Sequence, residues 1–350
     1  MPCLYGMCKI KNVLKKHIYI LFIILLVSCK LHIPVPVNSP ADIYKPATTW
    51  ITPPILQPGD SIMYIAPAGN VNPDKFYMKR ADSLLKLWGY VPVYPENLFK
   101  KHFTFGGTDQ ERFKDLQKAL DNPNIKAIWC ARGGYGSVRI IDSLNFKNFS
   151  KHPKWLIGFS DITVLHSLLH QEGFQSVHAI MPISLAHPNP KRKEAIQSLK
   201  DFFAGKKLRY KIDSDSLNIP GKAQGILVGG NLSLLVSLLG SKYQIDPSGK
   251  ILFLEDVGEY TYSYDRMLYA LKNAGYFDHL KGLIIGGMSV KKDDDFIGET
   301  VKELVLKHVQ NKGYPVIFDF PAGHIVDNRA LIFGKTAKIK VDKNQVIFEQ

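Results

Sequence analysis

The chain has 350 residues, with 45 lysines and arginines against 31 acidic residues and a formal net charge of +14. The basic residues are scattered and lack aromatic interleaving, which excludes a nucleic-acid surface. Of the four cysteines, at positions 3, 8, 29 and 130, the first three fall in an N-terminal segment that reads as a signal and its attachment point, which leaves Cys130 alone and no disulfide or zinc framework.

The N-terminus reads as a targeting segment. Lys9, Lys11, Lys15 and Lys16 form a basic region, and the apolar run Ile18 to Val27 that follows is too short to span a bilayer as a stable helix. It ends in Leu26-Val27-Ser28-Cys29, which resembles the lipobox of bacterial lipoproteins. On that resemblance residues 1–28 are a cleaved signal peptide and Cys29 is acylated, holding the protein to a membrane face without a spanning helix. An uncleaved anchor helix and an ordinary secretory signal are the alternatives. Losing the four signal lysines from the 45 basic residues leaves 41 against 31 acidic, or +10, a balance suited to anionic surroundings such as cell-wall polymer or lipid headgroups. Residues 29–56 are proline-rich and without periodicity, and read as a tether.

Strand-like and helix-like segments then alternate. Ser61 to Ala66 reads as a buried strand ending at Pro67-Ala68-Gly69. A helix is expected from Pro73 to Leu87, a strand from Tyr90 to Tyr94, and a helix from Asp109 to Leu120 opened by the capping box Thr108-Asp109-Gln110-Glu111. Ile125 to Cys130 follows as strand, Val138 to Leu144 as helix, Leu156 to Gly158 as strand and Ile162 to Gln171 as helix. This rhythm predicts an α/β fold whose N-terminal part, residues 57–185, is a doubly wound, mostly parallel sheet. A connecting segment, 186–222, holds a basic helix from Lys191 to Phe203 and a polar, irregular stretch. Residues 223–350 are expected to form a second α/β domain. Gly229-Gly230-Asn231 opens an apolar helix there, followed by strand 251–254, helix 264–274 and strand 282–285. Segments 337–341 and 346–348 suggest a terminal antiparallel pair.

Function in such sheets sits beyond the carboxyl ends of the strands. In Ile157-Gly158-Phe159-Ser160-Asp161-Ile162-Thr163 an apolar strand stops at a glycine turn and presents one serine before a helix, as several hydrolase folds do. Ser160 or Asp161 could equally be a simple helix N-cap. A nucleophilic serine needs a base, and the base an orienting acid. Glu255, at the end of the run Ile251 to Leu254, is the candidate acid, with Asp256 beside it pointing elsewhere. The pair could also be two solvated loop acids. His324, in Phe320-Pro321-Ala322-Gly323-His324, is the candidate base, although a lone loop histidine is more often a surface residue. The glycine loop Arg132-Gly133-Gly134-Tyr135-Gly136 lacks the endings and spacings of nucleotide cradles. Arg132 suits either a substrate carboxylate or a structural ion pair. His166 and His170 share a helix face but lack the acidic neighbour of a zinc motif, and read as packing or surface residues. Cys130 reads as a small buried hydrophobe.

Taken together, these segments resemble the LD-carboxypeptidases (murein tetrapeptide carboxypeptidases), a family that includes the microcin C immunity peptidases. The matching pieces run in family order from about residue 57 to the end: Gly59-Asp60 with Ile65-Ala66-Pro67, Gly107-Thr108, Arg132 to Gly136, Gly158-Phe159-Ser160-Asp161 with Thr163, Gly229-Gly230-Asn231-Leu232, Leu254-Glu255-Asp256, Asp265-Arg266-Met267-Leu268, and Gly323-His324. The resemblance implies a serine peptidase that uses no metal or cofactor, with Ser160 as nucleophile, His324 as general base and acid, and Glu255 orienting the imidazole. Oxyanion donors would be the backbone N–H groups of Asp161 and Gly134. The implied reaction removes the terminal D-alanine of a peptidoglycan tetrapeptide or muropeptide in the cell envelope, and the implied assembly is a homodimer. A peptidase of toxic peptide conjugates and a non-catalytic muropeptide-binding lipoprotein are the rival readings. The sequence departs from the family at Ala179-Ile180-Met181, where Gly-Pro-Met is usual.

Overall fold

The computed structural model describes residues 50–73, 76–294 and 297–350. The signal segment, Cys29 and most of the tether lie outside them. Residues Lys45–Gln350 form one compact unit built on two sheets.

The strands in chain order are β1 (Ser61–Ile65), β2 (Val91–Val93), β3 (Ile125–Cys130), β4 (Trp155–Gly158), β5 (Ser176–His178), β6 (Arg209–Asp213), β7 (Gly221–Asn231), β8 (Ile251–Glu259), β9 (Gly282–Val290), β10 (Val316–Ile317), β11 (Leu331–Phe333), β12 (Thr336–Val341) and β13 (Gln345–Glu349). The α-helices are α1 (Tyr77–Leu87), α2 (Asp109–Asp121), α3 (Thr163–Gln171), α4 (Lys193–Phe203), α5 (Leu232–Ser237), α6 (Thr261–Asn273) and α7 (Val301–Val309).

The first sheet has the order β11-β5-β4-β3-β1-β2. Its strands β1 to β5 are parallel, and β11 pairs antiparallel with β5. Apolar runs such as Ile62 to Ile65 and Ala127 to Cys130 are buried on both faces, as a sheet covered on two sides requires. One face packs on α1 and α4, the other on α2 and α3. The strand order reverses between β1 and β3, so the loops after these two strands flank a topological switch point, where ligand crevices form. The second sheet runs β10-β9-β8-β7-β12-β13-β6. Strands β7 to β10 are parallel, while β12, β13 and β6 are antiparallel. One of its faces packs on α5, α6 and α7, and the other merges with the core of the first sheet.

Several expectations are corrected here. Residues 50–56 of the expected tether pack on the body: Ile51 exchanges backbone hydrogen bonds with Gly173 and Gln175, and Trp155 Nε1 donates to Pro54 O at 2.9 Å. The expected helix 138–144 is two short 3-10 turns, Ser137–Arg139 and Ile141–Ser143. Its first backbone N–H, on Ser137, is taken by the Asp161 carboxylate at 2.8 Å. The polar stretch after α4 contains β6, an edge strand of alternating burial. The tail is not confined to the second sheet, because Leu331–Phe333 crosses back to the first. Helix α7, opened by a Thr300/Glu303 capping box, was not foreseen.

Candidate active site

Ser160 follows β4 after one residue, Phe159, and opens a 3-10 turn that leads into α3. Its backbone has φ +67°, a left-handed conformation that costs a residue with a Cβ about 1–3 kcal/mol. The elbow is supported from behind by His166, which bonds Gly158 O at 3.0 Å and Ser176 Oγ at 2.8 Å. A ring nitrogen facing a carbonyl must carry the proton, so Nε2–H donates and Nδ1 accepts from the serine hydroxyl. Burial lowers the His166 pKa to about 4, so the ring is neutral at pH 7. In front, the glycine loop comes so close that a Cβ on Gly133 would lie 2.9 Å from Ser160 Cβ and 3.1 Å from its Oγ.

His324 Nε2 lies 3.0 Å from Ser160 Oγ, and its Nδ1 lies 2.7 Å from Glu255 Oε2. Glu255 also accepts the His324 backbone N–H at 3.1 Å, so one carboxylate oxygen fixes both the ring and the peptide that carries it. Glu255 is 0% exposed. Burial alone would lower the His324 pKa. The hydrogen bond and charge of Glu255, with the charge of Asp256, outweigh burial and raise it. The three side chains come from different places: Ser160 from the first sheet, Glu255 from β8 of the second, and His324 from the connection between β10 and β11.

Asp256 points away from this row, as expected. It accepts from Asn231 Nδ2 at 2.9 Å and from Ser233 N at 2.8 Å, tying β8 to the start of α5. Asp161 does more than follow the serine. Its buried carboxylate holds Ser137 N, and burial, partly opposed by the hydrogen bonds from the 136–137 backbone, raises its pKa. The glycine loop is held from the other side by Arg112, which is 2% exposed and donates to Gly136 O at 2.8 Å and to Pro67 O. Arg112 was missed in the sequence because on α2 it reads as one more surface cation. Arg132 is half-buried and donates to Asn70 O at 3.1 Å. It has no carboxylate partner among the described residues. Gly134, at φ +114°, packs on Gly69. Neither its N–H nor that of Asp161 donates to a protein acceptor among the described residues.

Of the remaining candidates, His170 is buried with its ring 4.2 Å from that of Trp50, and Cys130 is buried with its thiol pKa pushed up by desolvation. Ala179, Ile180 and Met181 are all buried, and Ile180 O accepts the Trp129 indole N–H at 2.9 Å.

Residues 62–179 match the LD-carboxypeptidase N-terminal domain and residues 224–339 the LD-carboxypeptidase C-terminal domain. The chain is 34% identical over 307 residues to the probable murein peptide carboxypeptidase of Bacillus subtilis, covering 85% of this chain and 94% of that one. The chain belongs to the LD-carboxypeptidase family. The murein tetrapeptide carboxypeptidase of Pseudomonas aeruginosa is 30% identical over 244 residues, covering 67% of this chain and 78% of that one. Among solved structures, muramoyltetrapeptide carboxypeptidase from Oxalobacter formigenes superposes with a TM-score of 0.74 at 29% identity, over 83% of this chain and 98% of that one. The microcin C7 self immunity protein MccF shares the fold, with a TM-score of 0.77 at 21% identity over 86% of this chain and 98% of that one.

Proposed function

We propose that this protein is a serine LD-carboxypeptidase that removes the terminal D-alanine from peptidoglycan tetrapeptide stems. The observation that carries the reading is the hydrogen-bonded row Ser160–His324–Glu255 in a chain whose relatives are named for murein peptides.

In the proposed reaction His324 Nε2 takes the Ser160 proton as Oγ attacks the carbonyl of the diamino acid's L-centre. Glu255 holds Nδ1–H, so the ring presents its lone pair to serine and is stabilised once charged. The N–H groups of Asp161 and Gly134 receive the oxyanion, each worth roughly 3 kcal/mol in the transition state. His324 then gives its proton to the departing D-alanine amine, leaving an acyl-enzyme on Ser160. Water, activated by the same imidazole, releases the tripeptide and restores the serine. Arg132, unpaired with any described carboxylate, is assigned to a substrate carboxylate. Acylation of Cys29 would keep the enzyme on a membrane face of the cell envelope.

The test is incubation of the soluble body with a disaccharide tetrapeptide beside its Ser160→Ala counterpart, followed by mass spectrometry. Loss of one D-alanine with the wild type alone supports the reading. An intact substrate with a folded wild-type protein sinks it.

A further inference from the structure

A second imidazole lies behind the catalytic row. His178, on β5, is 0% exposed, and Asn328, between His324 and β11, is 1% exposed. His178 Nε2 lies 3.2 Å from Asn328 Oδ1, and the same oxygen accepts the Gly323 N–H at 2.8 Å. A backbone N–H can only donate, so this atom of Asn328 is the oxygen, and His178 must carry its proton on Nε2. Its Nδ1 has no partner among the described residues. Burial, reinforced by the neighbouring His166 and His324 imidazoles, drives the His178 pKa well down against the Asn328 bond. The ring is therefore a neutral donor.

The surroundings make this polarity costly. Phe159, Phe253 and Phe333 face the His178 ring at 5.7, 5.0 and 5.8 Å, a box that an apolar residue would fill without a buried lone pair. Phe159 also packs on the His324 ring at 4.9 Å. His178 is moreover the register partner of Gly158, two residues before Ser160. The contacts thus close a circuit from Ser160 back through Gly158 to His178, across to Asn328, on to Gly323 and His324, and again to Ser160.

We propose that His178 and Asn328 are positioning residues that set the Gly323–His324 turn, and so place the His324 imidazole, relative to the strand that carries Ser160. The proposal rests on the catalytic assignment above. Neither residue touches the reacting atoms. They act through one hydrogen bond to the peptide that presents the base.

His178→Phe fills the box but removes the donor, while His178→Gln keeps an N–H donor. Asn328→Leu removes the acceptor from the other side and stands in should His178→Phe not fold. Each would be compared with the wild type for kcat and KM on the tetrapeptide, for the rate of Ser160 labelling by a fluorophosphonate, and for melting temperature. Misplacement of a catalytic group by an ångström costs about 10²-fold. His178→Phe and Asn328→Leu should therefore lose about 10- to 100-fold in kcat and labelling rate. KM should stay within about two-fold and the fold remain intact, and His178→Gln should recover most of the loss. Wild-type labelling in His178→Phe overturns the proposal. So does a loss in His178→Gln that matches His178→Phe and tracks a lowered melting temperature. A wild type that labels at Ser160 but leaves tetrapeptide intact removes the substrate assignment, and the labelling rates still decide this one. A wild type that does not label overturns both.

Discussion

Gly323 and Glu255 are packed so tightly that a Cβ on Gly323 would lie 2.7 Å from Glu255 Cβ and 2.8 Å from its Oε2. Gly323 also has φ +105°, which disfavours any side chain. Gly323→Ala should therefore cost roughly 2–4 kcal/mol of stability through strain and overpacking. It should also lower kcat by about 10²-fold, because the displaced carboxylate carries the histidine with it. Chemical denaturation and steady-state kinetics on one preparation check both effects.

The left-handed backbone of Ser160 separates chemistry from stability at one position. Ser160→Ala and Ser160→Gly should both lose at least ~10⁴-fold in turnover, since each lacks the hydroxyl. Only glycine relieves the strain, and Ser160→Gly should be more stable than Ser160→Ala by about 1 kcal/mol. Equal denaturation midpoints for the two variants would remove strain from the account of the elbow.

In the proposed reaction His324 has to be neutral to accept the serine proton. Its pKa is raised above the ordinary histidine value because Glu255 and Asp256 outweigh burial. The acid limb of kcat/KM should thus lie above about pH 6.5. The pairing itself stabilises the fold fully below that unfolded value and is lost as pH rises through the higher folded one. Glu255→Gln removes the main raising influence and leaves burial, so the limb should move to lower pH while the plateau rate falls. An unmoved limb would mean that another group controls it.

Buried neutral histidines act on stability in the opposite direction. Burial lowers His166 to about 4 and His170 to about 3. Between those values and the unfolded value near 6.5 the unfolded chain binds more protons, so stability rises with pH across that window. The contribution of these two histidines to the urea midpoint should be level above about pH 7 and fall towards pH 4, beside the loss that His324 brings as pH rises through its own folded value. His166→Gln, which can still donate to Gly158 O, should flatten part of that slope.

Much of this architecture was legible in the sequence. The strands Ile62 to Ile65 and Ala127 to Cys130 announce a covered parallel sheet because both faces are apolar, and Thr108 and Glu111 mark the start of α2. Ser160, Glu255 and His324 each stand at a strand end or glycine turn, and only their joint resemblance to a family lifted them above an N-cap, two loop acids and a surface histidine. Strands of two or three residues such as β5, β10 and β11 carry no period, so their pairing was invisible. Arg112, His178 and the contact of the Asp161 carboxylate with Ser137 N were hidden for a different reason. Their work is done across the fold, on carbonyls and N–H groups brought near only by tertiary packing, and no spacing along the chain encodes it.

The thirteen residues from Phe318 to Ala330 are strung between β10, which belongs to one sheet, and β11, which belongs to the other. His324 is thus a tie between two halves of the core. A chain with only its first sheet formed owns a serine without a base, and one with only the second owns a carboxylate with nothing to orient. The row proposed for hydrolysis, Ser160–His324–Glu255, is therefore complete only in a chain in which both sheets have formed and the strand-to-strand connection between them is in place.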